Sequence, residues 1–232
     1  MMEHTSRHYE RDLQDLKDKI LLLGGMVEEM IASAMKSLLS RDPDLARRVI
    51  ASDPKVDSAE LEVDHLCLNL LALRQPAASD LRFIATALKI VTDLERIGDL
   101  AVNIAERSIE LNEEPPLKPY IDIPRMATAA AGMVRRALDA FVKRDPEEAR
   151  AVLASDDAVD TLNVQLFREL LTYMIEEPKN VSRALRITFI AKYLERVADH
   201  ATNIAQMVIF LCEGRDVRHS GVRTAAGRDA SD

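Results

Sequence analysis

Tryptophan is absent from this chain of 232 residues, aromatic residues make up 4% of it, and glycine occurs 7 times. Strands favour aromatics, and hairpin turns favour glycine. Their scarcity, in a sequence rich in Ala, Leu, Glu and Arg, points to an all-helical fold. Cysteine is nearly missing too. Cys67 and Cys212 are the two present, too few for a disulfide framework. Both lie inside apolar helical patterns and read as small core residues in a reducing compartment. Positive charge is in deficit: 31 Lys and Arg against 39 Asp and Glu leave a net charge of -8. That argues against nucleic-acid binding, which uses a basic face to displace counterions from phosphates. No long hydrophobic run occurs either. The longest candidate, 200–212, contains no Asp, Glu, Lys or Arg but spans only 13 residues, short of the ~18 that would cross a bilayer. The first residues, MMEHTSRHYERD, lack the apolar region of a signal peptide. These deficits predict a soluble, cytoplasmic chain, and 47% apolar residues suffice for a globular core.

What is present is a duplication. Residues 41–57 read RDPDLARRVIASDPKVD, and residues 144–160, 103 positions later, read RDPEEARAVLASDDAVD. Residues 94–105 read LERIGDLAVNIA, and residues 194–205, 100 positions later, read LERVADHATNIA. Apolar spacing of three and four predicts a first helix near 5–40, with Leu13, Leu16, Ile20, Leu23 and Val27 on one face. Gly24 and Gly25 fall inside it and read as a close approach to another helix. A second helix runs to about 73, interrupted at Ser52-Asp53-Pro54, where Asp53 is a candidate cap and Pro54 the first helical residue. A third spans about 79–111. The pattern returns at 121–143, 147–176 and 180–212. The expected organisation is a first three-helix repeat (1–111), a Pro-rich linker NEEPPLKP (112–119), a second repeat (120–212) and a disordered tail (213–232). Long helices joined by tight turns make three-helix bundles, so the prediction is two such bundles related by internal symmetry.

On a helical wheel, Leu81, Ile84, Leu88 and Val91 form an apolar stripe that leads to Glu95, with Asp99 and Asn103 following at 40° intervals. The sixth helix repeats this: Val181, Ala184, Thr188 and Ala191 lead to Glu195, Asp199 and Asn203. The motif Glu-x-x-x-Asp-x-x-x-Asn therefore occurs twice, with three oxygen-bearing side chains on one helix edge. Like charges at i and i+4 repel by roughly 0.2–0.5 kcal/mol, and Arg96 and Arg196 are spaced to offset this. Carboxylate and amide oxygens without thiolate suit Mg²⁺, Mn²⁺, Ca²⁺ or Fe. The same spacing also fits a solvated helix edge held by arginine. Its recurrence at one place in both repeats is what raises the cation reading.

A second doubled pair is Asp53 with Asp57, then Asp156 with Asp160. Helix capping and the helix dipole account for these carboxylates more simply, so Asp57 and Asp160 are secondary metal candidates. Glu60 and Asp64 lengthen the acidic edge in the first repeat only. Of the histidines, His4, His8 and His219 are terminal, and His200 points away from Asp199. Glu62 and His65 form half of the Glu-x-x-His signature of a di-iron bundle, but Gln165 and Arg168 stand at the matching places. No phosphate loop, nucleophile elbow, zincin pattern or Cys–His pair occurs.

The two segments from Leu94 to Ala105 and from Tyr193 to Ala205, with Gly24-Gly25, the doubled ASD and the Pro76 turn, make the chain resemble the PhoU family over about residues 5–212. The resemblance implies a pair of three-helix bundles. It implies a divalent or trivalent metal ion (Mg, Mn, Fe or Zn) at motifs that map onto Glu95/Asp99 and Glu195/Asp199. It further implies a homodimeric negative regulator that links the phosphate ABC transporter to a phosphate-sensing histidine kinase, and meets the membrane only through those partners. Two other readings stay open at the sequence level. One is a carboxylate-bridged metal enzyme, and the other is a metal-free helical scaffold.

Overall fold

The computed structural model describes residues 2–74, 76–215 and 217. Its helices are α1 (Met2–Ser40), α2 (Pro43–Ile50), α3 (Asp53–Arg74), α4 (Ala78–Asn112), α5 (Asp122–Lys143), α6 (Pro146–Leu153), α7 (Asp156–Glu176) and α8 (Val181–Glu213), with a 3-10 turn at Pro178–Asn180. Among the described residues there is no strand. Each half is a bundle of three rods, the middle rod broken into a short and a long helix. His219 and most of the expected tail lie outside the described residues.

The expected single helix over 147–176 is in fact α6 and α7, broken at Ala154 and Ser155. No proline marks this break, since Asp157 stands where the first repeat has Pro54. Side chains make it instead. Ser155 Oγ donates to the Ala151 carbonyl at 2.8 Å, and Arg136 Nη1 donates to Ser155 Oγ at 3.2 Å. The capping assignment shifts as well. Asp53 and Asp156 are the first residues of α3 and α7, not their caps. The capping carboxylates are Asp42, which accepts from the Leu45 N–H at 2.9 Å, and Asp145, which accepts from Glu147 at 3.0 Å and Glu148 at 3.1 Å. Each precedes a proline at the first helical position, where the missing N–H costs nothing.

The turns before these caps place arginine in the left-handed region, Arg41 at φ 55 and Arg144 at φ 53, where glycine is the low-strain residue. The arginines compensate through long-range contacts. Arg41 Nη2 donates to the carbonyls of Asn112 at 2.7 Å and Glu114 at 2.8 Å, tying down the end of α4. Arg144 lies 5.6 Å over the ring of Phe83.

The buried face of α1 is Ile20, Leu23, Val27, Ile31, Ala34 and Leu38; that of α5 is Ile123, Met126, Ala130, Val134, Ala137 and Phe141, each 103 positions on. These faces meet α4 and α8 in one continuous hydrophobic cluster. Helices α4 and α8 run antiparallel, since Glu110 pairs with Arg186 near one end and Asp93 meets Asn203 further along. Phe83 of α4 stacks on Phe141 of α5 with ring centroids 5.1 Å apart. The two glycines of α1 differ. A Cβ on Gly24 would stand 2.2 Å from Leu138 Cδ1 of α5, the close approach expected of the pair, whereas Gly25 meets nothing within 4 Å. Cys67 is buried and Cys212 half-buried, both free; burial pushes the Cys67 thiol up to about 12. Among the described residues no helix is long and apolar enough to cross a membrane.

Candidate metal centre

Each repeat folds its long middle helix back along its last. The first turns of α3, which carry Asp53, Asp57 and Glu60, therefore come beside Glu95 and Asp99 of α4. The electrostatics record the proximity. Burial raises the Asp53 carboxyl above its ordinary range, and the charges of Asp57 and then Asp99 raise it further. Glu95 is raised by burial first, then by Asp99, with smaller contributions from Asp57 and Glu60. Glu60 is raised by burial, Asp64 and Asp57. Arg96 offsets part of this, its Nη1 3.0 Å from Asp99 Oδ2 and its Nε 3.3 Å from Glu95 Oε2.

The second repeat builds the same arrangement from α7 and α8. Asp156 is pushed up to about 6, first by burial and then by the charges of Asp160, Asp199, Asp157 and Glu195. Asp199 is raised by burial and by Glu195, against the opposing charge of Lys192. Lys192 Nζ lies 2.6 Å from Glu195 Oε1 and 2.5 Å from Oε2. The second contact falls outside hydrogen-bond direction, so the buried Oε2 has no hydrogen-bond partner.

Glu95 and Asp99 thus sit with Asp57, and Glu195 and Asp199 with Asp160. Asp53 and Asp156, read from sequence as caps, join the two clusters; the signal for them was their recurrence 103 positions apart. The asparagines fare differently. Asn103 is half-buried on α4. Asn203 Nδ2 donates to Asp93 Oδ1 at 3.3 Å, and His200 Nδ1 lies 2.8 Å from the same oxygen. These two residues of α8 therefore connect the repeats through Asp93 of α4. Glu62 pairs with Lys19 at 2.8 Å, and His65 is exposed, so the half-signature for di-iron does not turn inward.

The donors in both clusters are oxygens, which suits a hard cation. Clustered carboxylates with raised proton affinity hold unrelieved negative charge, which a cation relieves as well as a proton does. Among the described residues, however, no three His, Cys, Asp or Glu side chains are placed as a ready ligand set for a metal ion. The carboxylates perturb one another without converging on a point, so metal binding here requires rotamer changes.

The PhoU domain family model matches residues 20–108 and 123–208. The chain is 41% identical over 223 residues to the phosphate-specific transport system accessory protein PhoU homolog of Pseudomonas aeruginosa, covering 96% of this chain and 92% of that one. It is 42% identical over 213 residues to the homolog of the same description from Aquifex aeolicus, covering 92% and 96%. The crystal structure of PhoU from Pseudomonas aeruginosa superimposes with a TM-score of 0.85 at 40% identity, over 89% of this chain and 100% of that one. That of the phosphate transport system regulatory protein PhoU from Streptococcus pneumoniae gives 0.83 at 26% identity, over 90% and 99%. Three of these four carry accessory or regulatory names, the fourth is named PhoU alone, and none is named as an enzyme.

Proposed function

This chain belongs to the PhoU family, and we propose that it is a non-enzymatic accessory regulator of phosphate-specific transport. It acts in the cytoplasm by contact, as a homodimer. Its partners are subunits of the phosphate ABC transporter and a phosphate-sensing histidine kinase, and through them it keeps uptake and the phosphate response low when phosphate is plentiful. The observation that carries the reading is the pairing of family membership with two carboxylate clusters at equivalent places in the repeats. Such clusters oppose folding unless something offsets their charge, so keeping both suggests a use for them.

In this reading Glu95, Asp99, Asp53 and Asp57 hold one cation and Glu195, Asp199, Asp156 and Asp160 another. A bound divalent or trivalent ion supplies positive charge among the carboxylates. The chain's own part is to keep those oxygens on neighbouring helix edges, with Arg96 and Lys192 covering them when no ion is there. A metal-free scaffold is the second reading. It is favoured by the lack, among the described residues, of a converged ligand set. In that case Arg96 and Lys192 are permanent counterions.

The regulatory claim is tested with a phosphate-starvation reporter in a strain lacking this gene. Expression at high phosphate is expected, and a reporter that stays silent there overturns it. Elemental analysis of protein purified without chelator separates the two metal readings. Stoichiometric metal is expected; metal-stripped protein that still restores full repression favours the scaffold.

A further inference from the structure

The repeats differ sharply where the first rod meets the short helix that follows it. In the first repeat, α1, α2 and the start of α3 form a half-open cavity of about 420 Å³ whose apolar walls are Met26, Met30, Leu45, Val49 and Val56. That volume falls within the ~300–1,000 Å³ of ordinary ligand pockets. The second repeat keeps Met30, Val49, Ser52 and Val56 as Met133, Val152, Ser155 and Val159. It changes Ser33 to Arg136 and Leu45 to Glu148. There the arginine lies across the equivalent space, its Nε 2.5 Å from Glu148 Oε1 and its Nη1 3.2 Å from Ser155 Oγ. The second repeat plugs itself with its own ion pair, and the first, with serine and leucine at those positions, stays open.

The surroundings also differ. Arg48, Lys55 and Glu29 line the open cavity, where the second repeat has Ala151, Ala158 and Gly132. Two cations face one carboxylate there, in a chain whose net charge is -8. Arg48 also lies 3.9 Å from Asp42, the α2 cap, a loose pairing between exposed groups. With Leu45 where the second repeat has Glu148, the one carboxylate that lines this space is Glu29, against the two cations. The charge balance therefore selects an acidic occupant with an apolar anchor. The two methionines are unbranched and adapt to varied apolar shapes, as surfaces that accept helical segments do.

We infer that this cavity is a docking socket for an acidic amphipathic helix of a partner protein. One bulky apolar side chain enters between Met26, Met30 and Val56, and carboxylates about one turn away meet Arg48 and Lys55. The inference rests on the accessory-protein reading only for the existence of a partner; it is independent of metal.

The probe is a synthetic amphipathic peptide of about four helical turns, with Leu and Phe on one face and Glu along its flanks, titrated into the full chain. Its control carries Lys for every Glu. The acidic peptide is expected to bind and to shift the methyl resonances of Met26 and Met30, with the basic control at least ~10-fold weaker. Ser33→Arg combined with Leu45→Glu transplants the second repeat's plug and is expected to abolish binding, with folding checked by circular dichroism. Lys55→Glu, a surface change, is expected to reverse the preference between peptides and carries the test if the plugged variant fails to fold. Equal affinity for both peptides, or full binding by the folded plugged variant, overturns the proposal. So does laurate, if it gives the same methyl shifts and displaces the peptide, since the cavity would then be a lipid site. A chain that represses the reporter but binds no acidic peptide loses only the socket; one that binds the peptide but does not repress loses only the regulatory reading.

Discussion

In the first repeat a single arginine, Arg96, reaches both carboxylates of its motif, Asp99 at 3.0 Å and Glu95 at 3.3 Å. In the second, Lys192 lies a turn earlier and pairs with Glu195 at 2.6 Å. Asp199 and Asp156 are left to repel, and Asp156 is pushed up to about 6. The same four oxygen-bearing positions therefore sit in unequal fields. The short helices show the opposite asymmetry: the second repeat is internally paired through Arg136 and Glu148, while the first is open. Duplication preserved positions and backbone, and single substitutions beside them reassigned which half is self-sufficient and which is left wanting a charge or a side chain.

The strongest way to break this comparison is to ask whether the halves are separable at all. Phe141 is fully buried and stacks on Phe83 across the repeats. Phe141→Ala is expected to cost ~3–5 kcal/mol and, because the core is one cluster, to lower a single urea transition. Two resolved transitions would show that the repeats unfold independently. Next in size is the cation preference. Asp199→Ala is expected to weaken Mn²⁺ binding by ~10-fold or more, Asp99→Ala by less, with unchanged circular dichroism for both. An equal loss at the two sites would erase the asymmetry.

Acid pH sharpens the same point. The folded pKa of Asp156, about 6, lies above its ordinary 3.8. The proton it holds in the folded state stabilises the protein fully below pH ~4, and this is lost as pH rises through about 6. Asp156→Asn should therefore be more stable than the parent at pH 7 by about 1 kcal/mol, well below full conversion because the group is partly exposed and screened. The difference should vanish below pH ~4 in thermal melts. A benefit that persists there would assign it to packing. The smallest effect concerns the caps. Asp42→Ala and Asp145→Ala should each cost ~1 kcal/mol in urea unfolding, with Asp145 the costlier because it serves two N–H groups against one.

Much of the fold was legible in the chain. The three-and-four spacing from Leu16 to Val27 identified a face that is buried, and the Ser52-Asp53-Pro54 interruption separated the short helix of the first repeat from the long one that follows. Glu95, Asp99, Glu195 and Asp199 were legible because a helix edge is a local property. Asp53 and Asp156 were not, since a first-turn carboxylate is explained equally well by the helix dipole until the helix packed against it is known. The break at Ser155 was hidden because its cause includes Arg136, 19 residues away. Gly24 and Gly25 are equivalent in sequence; only the position of Leu138 separates them.

The sequence alone carried the helical class, the repeat, the acidic edges and the helix bounds apart from the break between α6 and α7, because propensity and periodicity act between residues no more than a turn or two apart. It took the packed structure to show that Asp93 joins His200 and Asn203 across the repeats, that carboxylates from two helices share each cluster, and that one cavity is plugged while its twin is open. Those outcomes depend on the register between packed helices, which core burial sets across separations of up to 110 residues and which no local pattern encodes.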